Sequence, residues 1–321
     1  MPEVEPTSVQ IDPSAGEGPV VGSTATDEDS GVTLSKTKRL GPIGWLAILW
    51  LTLVALMAVV PQLFPVPDLT ARFPEALRER DFGPTSGHPL GFDTSGRDLL
   101  SKLVYGTRAS MIVSVAAITF GLVVGGTLGL IAGYFRGKID TVITNGFNVG
   151  LAIPQLVLAI TLAAVFASDA NAGYGQRVAV VTFAIGFSSI PILGRITRAN
   201  TLTWANREFV MAAKTVGAKT PRIIIREVLP NVAPAMFSIA LLGIAIAIVV
   251  EGGLALIGVG IPADITSPSW GNLIATGRSQ MLLGEAAQVM TASTMVFFTV
   301  LSLNYLGDVV RARFDVRDSA L

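Results

Sequence analysis

Cysteine is absent from this 321-residue sequence, and histidine occurs only once, at His88. These absences exclude disulfide bonds, thiol nucleophiles and cysteine-ligated metal sites, together with most imidazole chemistry. Charged residues are also scarce, at 14% against about 25% in a typical soluble domain, whereas hydrophobic residues reach 51%. With 23 basic and 23 acidic residues there is no basic excess that would indicate a nucleic-acid partner. The composition therefore indicates a protein whose main solvent is lipid.

Apolar runs free of Asp, Glu, Lys and Arg recur six times along the chain. A bilayer core about 30 Å thick is crossed by about 20 helical residues, because a helix satisfies its own backbone polar groups where water is absent. The fourth run is the shortest and contains Pro191, yet we expect it to be a helix as well. The predicted fold is all-α, with six transmembrane helices at residues 41–64, 109–135, 141–168, 178–194, 228–250 and 286–307.

The chain ends and the loops set the expected orientation. Residues 1–40 are predicted to be a disordered acidic tail, since they hold seven acidic residues and, up to residue 35, no basic one. The first run begins too far from the N-terminus for a cleaved signal peptide, so we expect a retained anchor at 41–64. With the N-terminus inside, cytoplasmic segments hold 15 of the 23 basic residues, which favours that orientation. Both termini, including the tail at 308–321, are predicted to be cytoplasmic, with the loop at 65–108 outside.

Glycine recurs every four residues in the second predicted helix and leaves one face without side chains. Such a face lets another backbone approach closely, either within the chain or in a partner subunit. The predicted helix-packing residues are Gly121, Gly125, Gly129 and Gly133.

A pathway or gate is a hypothesis for two places in the membrane. Pro154 and Pro191 are expected to kink their helices, either as part of a gate or as ordinary curvature. Glu251 lies about 30 Å along the fifth helix, at a depth where a carboxylate either lines a pathway or is solvated. Gly252 and Gly253 begin a glycine-rich stretch that predicts irregular backbone next to it.

The polar, basic segment at residues 195–230 has the pattern of two short helices. Asn206 is the expected N-cap of the first helix and Gly217 its left-handed stop. Thr220 is the expected N-cap of the second helix, with Pro221 in its first turn. Apolar positions spaced i, i+3, i+4 and i+7 form a stripe on the first helix: Phe209, Ala212, Ala213 and Val216. This helix is either a docking surface or an interfacial helix on lipid headgroups.

The same segment reads Met-Ala-Ala at residues 211–213, Gly at 217 and Leu-Pro at 229–230. It resembles the EAA loop of bacterial ABC importer permeases, Glu-Ala-Ala-x3-Gly-x9-Ile-x-Leu-Pro. The spacing agrees throughout, although Met211 stands in place of the Glu and Glu227 in place of the Ile. The resemblance implies that the following residues couple the chain to an ATPase subunit: Asn206, Arg207, Glu208, Phe209, Met211, Ala212, Ala213, Gly217, Ala218, Leu229 and Pro230.

A second motif, His-Pro-Leu-Gly-Phe-Asp-Thr-Ser-Gly-Arg-Asp-Leu-Leu-Ser at residues 88–101, resembles a signature of the dipeptide, oligopeptide and nickel permeases. The likeness continues at Ser-Trp-Gly-Asn, residues 269–272, and at Leu-Gly-Asp, residues 306–308. The C-type subunit of that family fits best. His88 is expected to be a structural loop residue, not a metal ligand, although some relatives serve nickel uptake.

The resemblance also implies the fold and the role of the chain. The fold would be that of a type I ABC importer permease, with a permease core at residues 109–307 and a coupling-helix loop at 195–230. The chain would form half of a path for dipeptides or oligopeptides, or alternatively nickel chelates, in the bacterial cytoplasmic membrane. Its expected partners are a homologous second permease, two ATPase subunits or one fused ATPase, an extracytoplasmic substrate-binding protein and the lipid bilayer.

The chain is not expected to be an enzyme or to bind a cofactor itself. The sequence contains no Walker A loop, so ATP and Mg²⁺ are expected in the partner ATPase subunits. A secondary transporter is the main alternative, but it would need coupling charges near the bilayer midplane, of which none is evident. An intramembrane enzyme is disfavoured because no catalytic cluster converges from the predicted helices.

Overall fold

A computed structural model of the chain describes residues 41–79, 83–166, 173–262, 267–282 and 284–314. The predicted acidic tail and the end of the chain from residue 315 lie outside the described residues, as does the end of the third predicted span from residue 167. The described part is helical almost throughout and contains no β-strand, only two isolated bridges between residues 85 and 98. The predicted all-α fold class is confirmed.

The helices of the described part are, in chain order, α1 (Pro42–Val59), α2 (Pro74–Glu79), α3 (Leu99–Phe135), α4 (Gly137–Ala152), α5 (Gln155–Phe166), α6 (Tyr174–Trp204), α7 (Glu208–Thr215), α8 (Thr220–Ile223), α9 (Leu229–Ile257), α10 (Trp270–Met281) and α11 (Ala287–Phe314). A 3₁₀ turn, Pro61–Leu63, follows α1, and a π-helical turn, Ile224–Val228, joins α8 to α9.

Five helical stretches of the described part are long and apolar enough to cross a bilayer: α1, α3, α6, the run from α8 through α9, and α11. Four of them extend beyond their predicted bounds: α3, α6, the run from α8 through α9, and α11. Helix α3 begins at Leu99, ten residues early, because Asp98 caps it by accepting the Ser101 N–H at 2.7 Å. Helix α6 extends beyond residues 178–194 at both ends. It includes Arg195 and Arg198, where the predicted charge-free run ended. A membrane helix can nevertheless contain arginine near its end, because the long side chain reaches the interface.

The third predicted span is broken in two. Helices α4 and α5 pass the length and composition test only together, and they meet at an angle of 84°. The break lies at Ile153 and Pro154, since proline lacks the N–H that would continue α4 and forces the residue before it out of the helical region. Ile153 accordingly has extended dihedral angles, with φ of −95° and ψ of 126°. By contrast, α6 continues as one helix through Pro191.

The closest helix pair is α3 with α6, and glycine makes the close approach possible. A Cβ atom added to Gly125 would lie 2.5 Å from the Ile190 carbonyl oxygen, and one added to Gly121 would lie 3.0 Å from the Gly186 carbonyl oxygen. Gly129 and Gly133 meet the α6 backbone in the same way. All four predicted helix-packing glycines therefore lie against α6, a helix of the same chain.

Helix α1 packs on the outside of this bundle, mainly against α11. The Trp50 Nε1 donates a hydrogen bond to the Thr299 hydroxyl at 3.1 Å. The opposite face of α1 is apolar and exposed, with Trp45 64% and Leu49 67% accessible. In a membrane-spanning helix such a face is suited to lipid.

Candidate functional site

The helix predicted in the 195–230 segment is α7, and it ends in a Schellman motif. Gly217 adopts a φ of +84°, which favours glycine. The Ala218 N–H donates to the Ala213 carbonyl and the Gly217 N–H to the Lys214 carbonyl, each at 3.0 Å. These bonds satisfy the last carbonyls of α7 and fix the angle at which the chain enters α8.

Helix α7 has a buried face and an exposed apolar face. Val210 is fully buried and Ala213 half-buried, so this side faces the rest of the chain. Phe209, Ala212 and Val216 point away from it, and Val216 is 88% exposed. Three of the four residues of the predicted stripe thus form an uncovered apolar surface.

The buried face of α7 rests on a small apolar core that joins several helices. Val210 packs there with Ile223, Val228 and Val232, at the beginning of the run from α8 to α9. Leu130 and Tyr134 from the end of α3, Trp204 from the end of α6 and Met236 from α9 surround this core. Lys214 also lies 5.3 Å from the centre of the Tyr134 ring, a cation–π distance. A displacement of α7 would therefore act on the ends of three membrane helices.

The prediction that Asn206 caps α7 was wrong. Arg207 occupies the N-cap position and makes no side-chain capping bond. The Asn206 Nδ2 donates instead to the Leu202 carbonyl at 2.8 Å, and its Oδ1 accepts from the Arg136 guanidinium. Asn206 therefore closes the last turn of α6 and ties it to the corner between α3 and α4.

An ion pair between α4 and α6 was missed in the sequence. Arg198 donates to both carboxylate oxygens of Asp140, with an Nη2–Oδ2 distance of 2.6 Å. Sequence reasoning used Arg198 only as a charge in the orientation count. The available signal was Asp140, an acidic residue at the start of an apolar run, because ionisable side chains in membrane helices usually pair with one another.

Leu229 and Pro230 begin α9, one residue after the predicted start of the fifth span, and the π-helical turn joins α8 and α9 into one continuous helical run. The apolar run extends from Thr220 to Ile257, and Lys219, not Thr220, is its N-cap. The Leu229 N–H donates to the Ile224 carbonyl, a π-helical bond across five residues. This wider turn accommodates the Pro230 ring, which would collide with a carbonyl in a regular α-helix.

The break at Pro154 borders an apolar cleft of about 420 Å³ lined by α3, α5, α6 and α9. Its polar element is Gln155, whose Nε2 donates to the Ser189 hydroxyl at 3.1 Å. Gln155 directly follows the break, so this bond ties the start of α5 to α6. The role of Pro154 in a gate stays a prediction.

Glu251 is fully buried, so the solvated alternative for its carboxylate was wrong. Its Oε1 accepts a hydrogen bond from the Ser269 hydroxyl at 2.7 Å, and Ser269 is the N-cap of α10. Gly252 and Gly253 are helical residues of α9, contrary to the expected irregular backbone. The irregular backbone begins at Gly258, whose φ of +86° ends α9. A gate role for Glu251 stays a prediction.

Residues 88–98 of the 88–101 motif form the loop before α3, and its last three residues begin the helix. The His88 Nδ1 lies 2.8 Å from the Asp98 Oδ1, and its ring packs against Phe73 and Phe92 at centroid distances of 4.4 and 4.5 Å. The described residues include no group of three His, Asp or Glu that could hold a metal ion.

Upstream of this loop, the Thr70 backbone N–H and hydroxyl both donate to Asp68. These bonds hold the pKa of the Asp68 carboxyl below its ordinary value.

Comparison with protein families identifies the chain. The model described as "Binding-protein-dependent transport system inner membrane component" matches residues 125–317, more than half of the sequence. The chain belongs to this family. Its resemblance to the ABC importer permeases is thereby confirmed, and so is its role as a permease subunit that is not itself an enzyme. The secondary-transporter alternative gains no support.

Individual relatives agree with the family. The permease is 35% identical to the dipeptide transport system permease protein DppC of Alkalihalophilus pseudofirmus, over 73% of each chain. It is 33% identical to the glutathione transport system permease protein GsiD of Pectobacterium atrosepticum, over 73% of this chain and 74% of the relative. It is 32% identical to the di/tripeptide transport system permease protein DppC of Pseudomonas aeruginosa, over 70% and 71%.

Solved structures agree on the fold. The permease superposes on an inward-facing form of the MetNI methionine ABC transporter with a TM-score of 0.54 and 18% identity, covering 67% of this chain and 97% of that one. A second crystal form of the same transporter gives a TM-score of 0.52. These matches establish the type I permease fold, and the family match together with the apolar helices establishes a multi-pass membrane protein.

Proposed function

We propose that this permease forms half of the path of a peptide importer and that α7 is the helix that docks into an ATPase subunit. The other half of the path comes from a homologous permease, and an extracytoplasmic binding protein delivers the substrate. The names of the relatives favour peptides over nickel chelates, since dipeptides, tripeptides and glutathione are all short peptides.

The observation that carries the docking proposal is the division of α7 into two faces. Phe209, Ala212 and Val216 form an exposed apolar surface, while Val210 anchors the helix to the shared core. An apolar surface at the end of a bundle, among charged side chains, is suited to a protein groove. Because α3, α6 and α9 meet at the core under α7, a displacement of α7 would be transmitted directly to these membrane helices.

In the proposed cycle, ATP closes the two ATPase subunits around the nucleotide and moves the docked α7 helices toward each other. The membrane helices then rock between inward-open and outward-open states. The Schellman turn at Gly217 and the Asn206–Arg136 bond keep the two ends of α7 fixed to the bundle. ATP and Mg²⁺ bind in the partner subunits, and both termini of this chain lie in the cytoplasm.

A pair of charge substitutions on α7 tests the docking surface. Val216→Glu places a carboxylate at the most exposed apolar position, where a docked ATPase would bury it, so we expect at least a tenfold loss of co-purified ATPase. Met211→Glu adds the same charge to the same helix, at a position that is 56% exposed and where the family motif has Glu. We expect this control to retain the ATPase. Equal retention by both variants would refute the docking assignment.

A further inference from the structure

A polar cleft of about 600 Å³ opens between the loop before α3 and helix α10, at the end of the bundle remote from α7. Its lining combines two cationic side chains and one carboxylate with amide and hydroxyl groups. They are Asp93, Ser95, Arg97 and Lys102 from the loop and the start of α3, Asn272, Thr276 and Gln280 from α10, and Gln288 from α11, together with Pro268 and Leu273. We call it the Arg97 cleft.

The acidic groups of this loop already have partners. Asp93 accepts the backbone N–H groups of Ser95 and Arg97 on Oδ1, at 2.9 and 2.8 Å, and forms an ion pair with Lys102 through Oδ2. Asp98 interacts with His88 through Oδ1 and with Ser101 through Oδ2. The charge of Lys102 is therefore matched by Asp93, and all four oxygens of the two carboxylates have a partner.

The guanidinium of Arg97 is different. Arg97 is only 8% exposed, yet its Nε has no hydrogen-bond acceptor and its guanidinium forms no ion pair among the described residues. Its backbone is fixed, since the N–H and carbonyl both bond to Asp93. A nearly buried arginine whose Nε has no acceptor is costly, so Arg97 is placed to receive an anionic group from another molecule.

Gln288 supplies a second unmatched group in the same cleft. It is 3% exposed, and its Nε2 donates to the Leu273 carbonyl and the Thr276 hydroxyl, at 2.9 and 2.8 Å. Its Oε1 has no donor among the described residues. A ligand that matches both groups carries a carboxylate for the planar Arg97 fork and an N–H for the Gln288 oxygen.

Helix α10, which lines one side of the cleft, is held against α3 by Trp270. Trp270 is fully buried, its Nε1 donates to the Leu103 carbonyl at 3.2 Å, and its backbone N–H donates to the Ser110 hydroxyl at 3.0 Å. These bonds fix the position of α10 relative to α3, so the two sides of the cleft are held in place. A cleft with fixed sides at the end of the bundle suits a side chain inserted from a docked protein better than a molecule in transit.

We propose that the Arg97 cleft binds an acidic side chain of the substrate-binding protein, with the carboxylate on the Arg97 guanidinium and an adjacent backbone N–H on the Gln288 Oε1. The identity of this partner rests on the proposed function, whereas the carboxylate chemistry rests on the cleft. Docking would neutralise the unmatched guanidinium, so the binding protein gains affinity from a charge that is already positioned.

The test compares two arginine substitutions in the complete transporter, reconstituted in lipid nanodiscs with its ATPases. Arg97→Gln should weaken binding of the purified binding protein about tenfold or more, because it leaves a carboxylate in the interface without its cation. Arg278→Gln removes the same charge from an exposed position on α10 and should change the affinity less than twofold. Equal effects of the two substitutions, or none from Arg97→Gln, would overturn the proposal.

Two further measurements exclude other roles of Arg97. Thermal unfolding of the transporter without binding protein should not occur at a lower temperature in Arg97→Gln, since the guanidinium has no acceptor to lose. A clear fall would make Arg97 a structural residue and overturn the proposal. Binding of a free dipeptide that requires Arg97 would make the cleft a peptide subsite instead. Unchanged ATPase co-purification in Arg97→Gln separates this test from that of α7.

Discussion

At the scale of single residues, Glu251 shows how a carboxyl group can join two helices in a membrane protein. It is fully buried, and its Oε1 accepts from Ser269, the residue that also caps α10 through the Asn272 N–H. The first turn of α10 lies tight against it, since a Cβ on Gly271 would be 2.7 Å from the Oε2. The partly positive N-terminus of α10 favours an oxygen acceptor at this position. Glu251 therefore fixes the end of α9 to the start of α10.

Two substitutions at Glu251 separate this joining role from a need for charge. Glu251→Gln keeps an oxygen acceptor and the side-chain volume, so the transporter should unfold at the same temperature or higher. Glu251→Ala leaves the Ser269 hydroxyl without its acceptor and creates a cavity, for which we expect a loss of about 2–4 kcal/mol. Thermal unfolding of the purified transporter measures both. If Glu251→Gln were as unstable as Glu251→Ala, the site would require a negative charge.

Individual residues differ in how much of their role the sequence reveals. Gly217 was predictable because a left-handed turn after a short helix requires glycine, and the turn depends only on its neighbours in sequence. The role of Asn206 was not, because its partner Arg136 lies 70 residues away. Arg97 could be recognised as part of a motif, but its unpaired guanidinium appears only when loop, α10 and α11 are brought together.

At the scale of helices, the packing of α3 against α6 depends on glycine on both sides. Gly125 faces the Ile190 carbonyl, and Gly186 on α6 faces the Ala117 carbonyl, from which an added Cβ would lie 2.7 Å. Two helical backbones in this contact cannot move apart locally without disturbing their whole length. In the proposed transport cycle, we therefore expect this pair to move as one unit.

Alanine substitutions at two helical glycines test this packing. Gly125→Ala brings a Cβ to 2.5 Å from a backbone oxygen, and we expect a destabilisation of about 1–3 kcal/mol despite the better helix propensity of alanine. Gly146→Ala on α4 meets nothing within 4 Å, so the propensity gain should keep or raise stability. The unfolding temperature of the purified transporter is the measurement. Equal stability of both variants would show that α3 and α6 can separate at Gly125.

Sequence patterns reveal where an apolar helix lies, but not how it is oriented against its neighbours. Charge-free apolar runs revealed the membrane helices, and Pro154 revealed that the third run bends. The angle of 84° was not predictable, because it depends on packing against α3, α6 and α9. Helix α10 was missed because its sequence is mostly polar and follows a stretch rich in glycine and proline, which favours a loop interpretation.

At the scale of the whole molecule, the two proposed docking surfaces lie at opposite ends of α3. The loop with Arg97 leads directly into Leu99, and Tyr134 near the other end packs beside α7. A helix of 37 residues is about 55 Å long, more than the thickness of a bilayer. One surface must therefore face the cytoplasm and the other the exterior, and the proposed function requires α7 to be inside.

The orientation can be tested directly because the chain contains no cysteine, so each introduced thiol is unique. Ser86→Cys lies in the exposed loop before α3, and Lys138→Cys is exposed at the start of α4, near the opposite end. In spheroplasts, a membrane-impermeant maleimide should label Cys at position 86 at once and at position 138 only after permeabilisation. The excess of basic residues at the α7 end predicts this result. Labelling in the reverse order would place α7 outside, where no ATP-driven subunit could reach it, and both docking proposals would fail together.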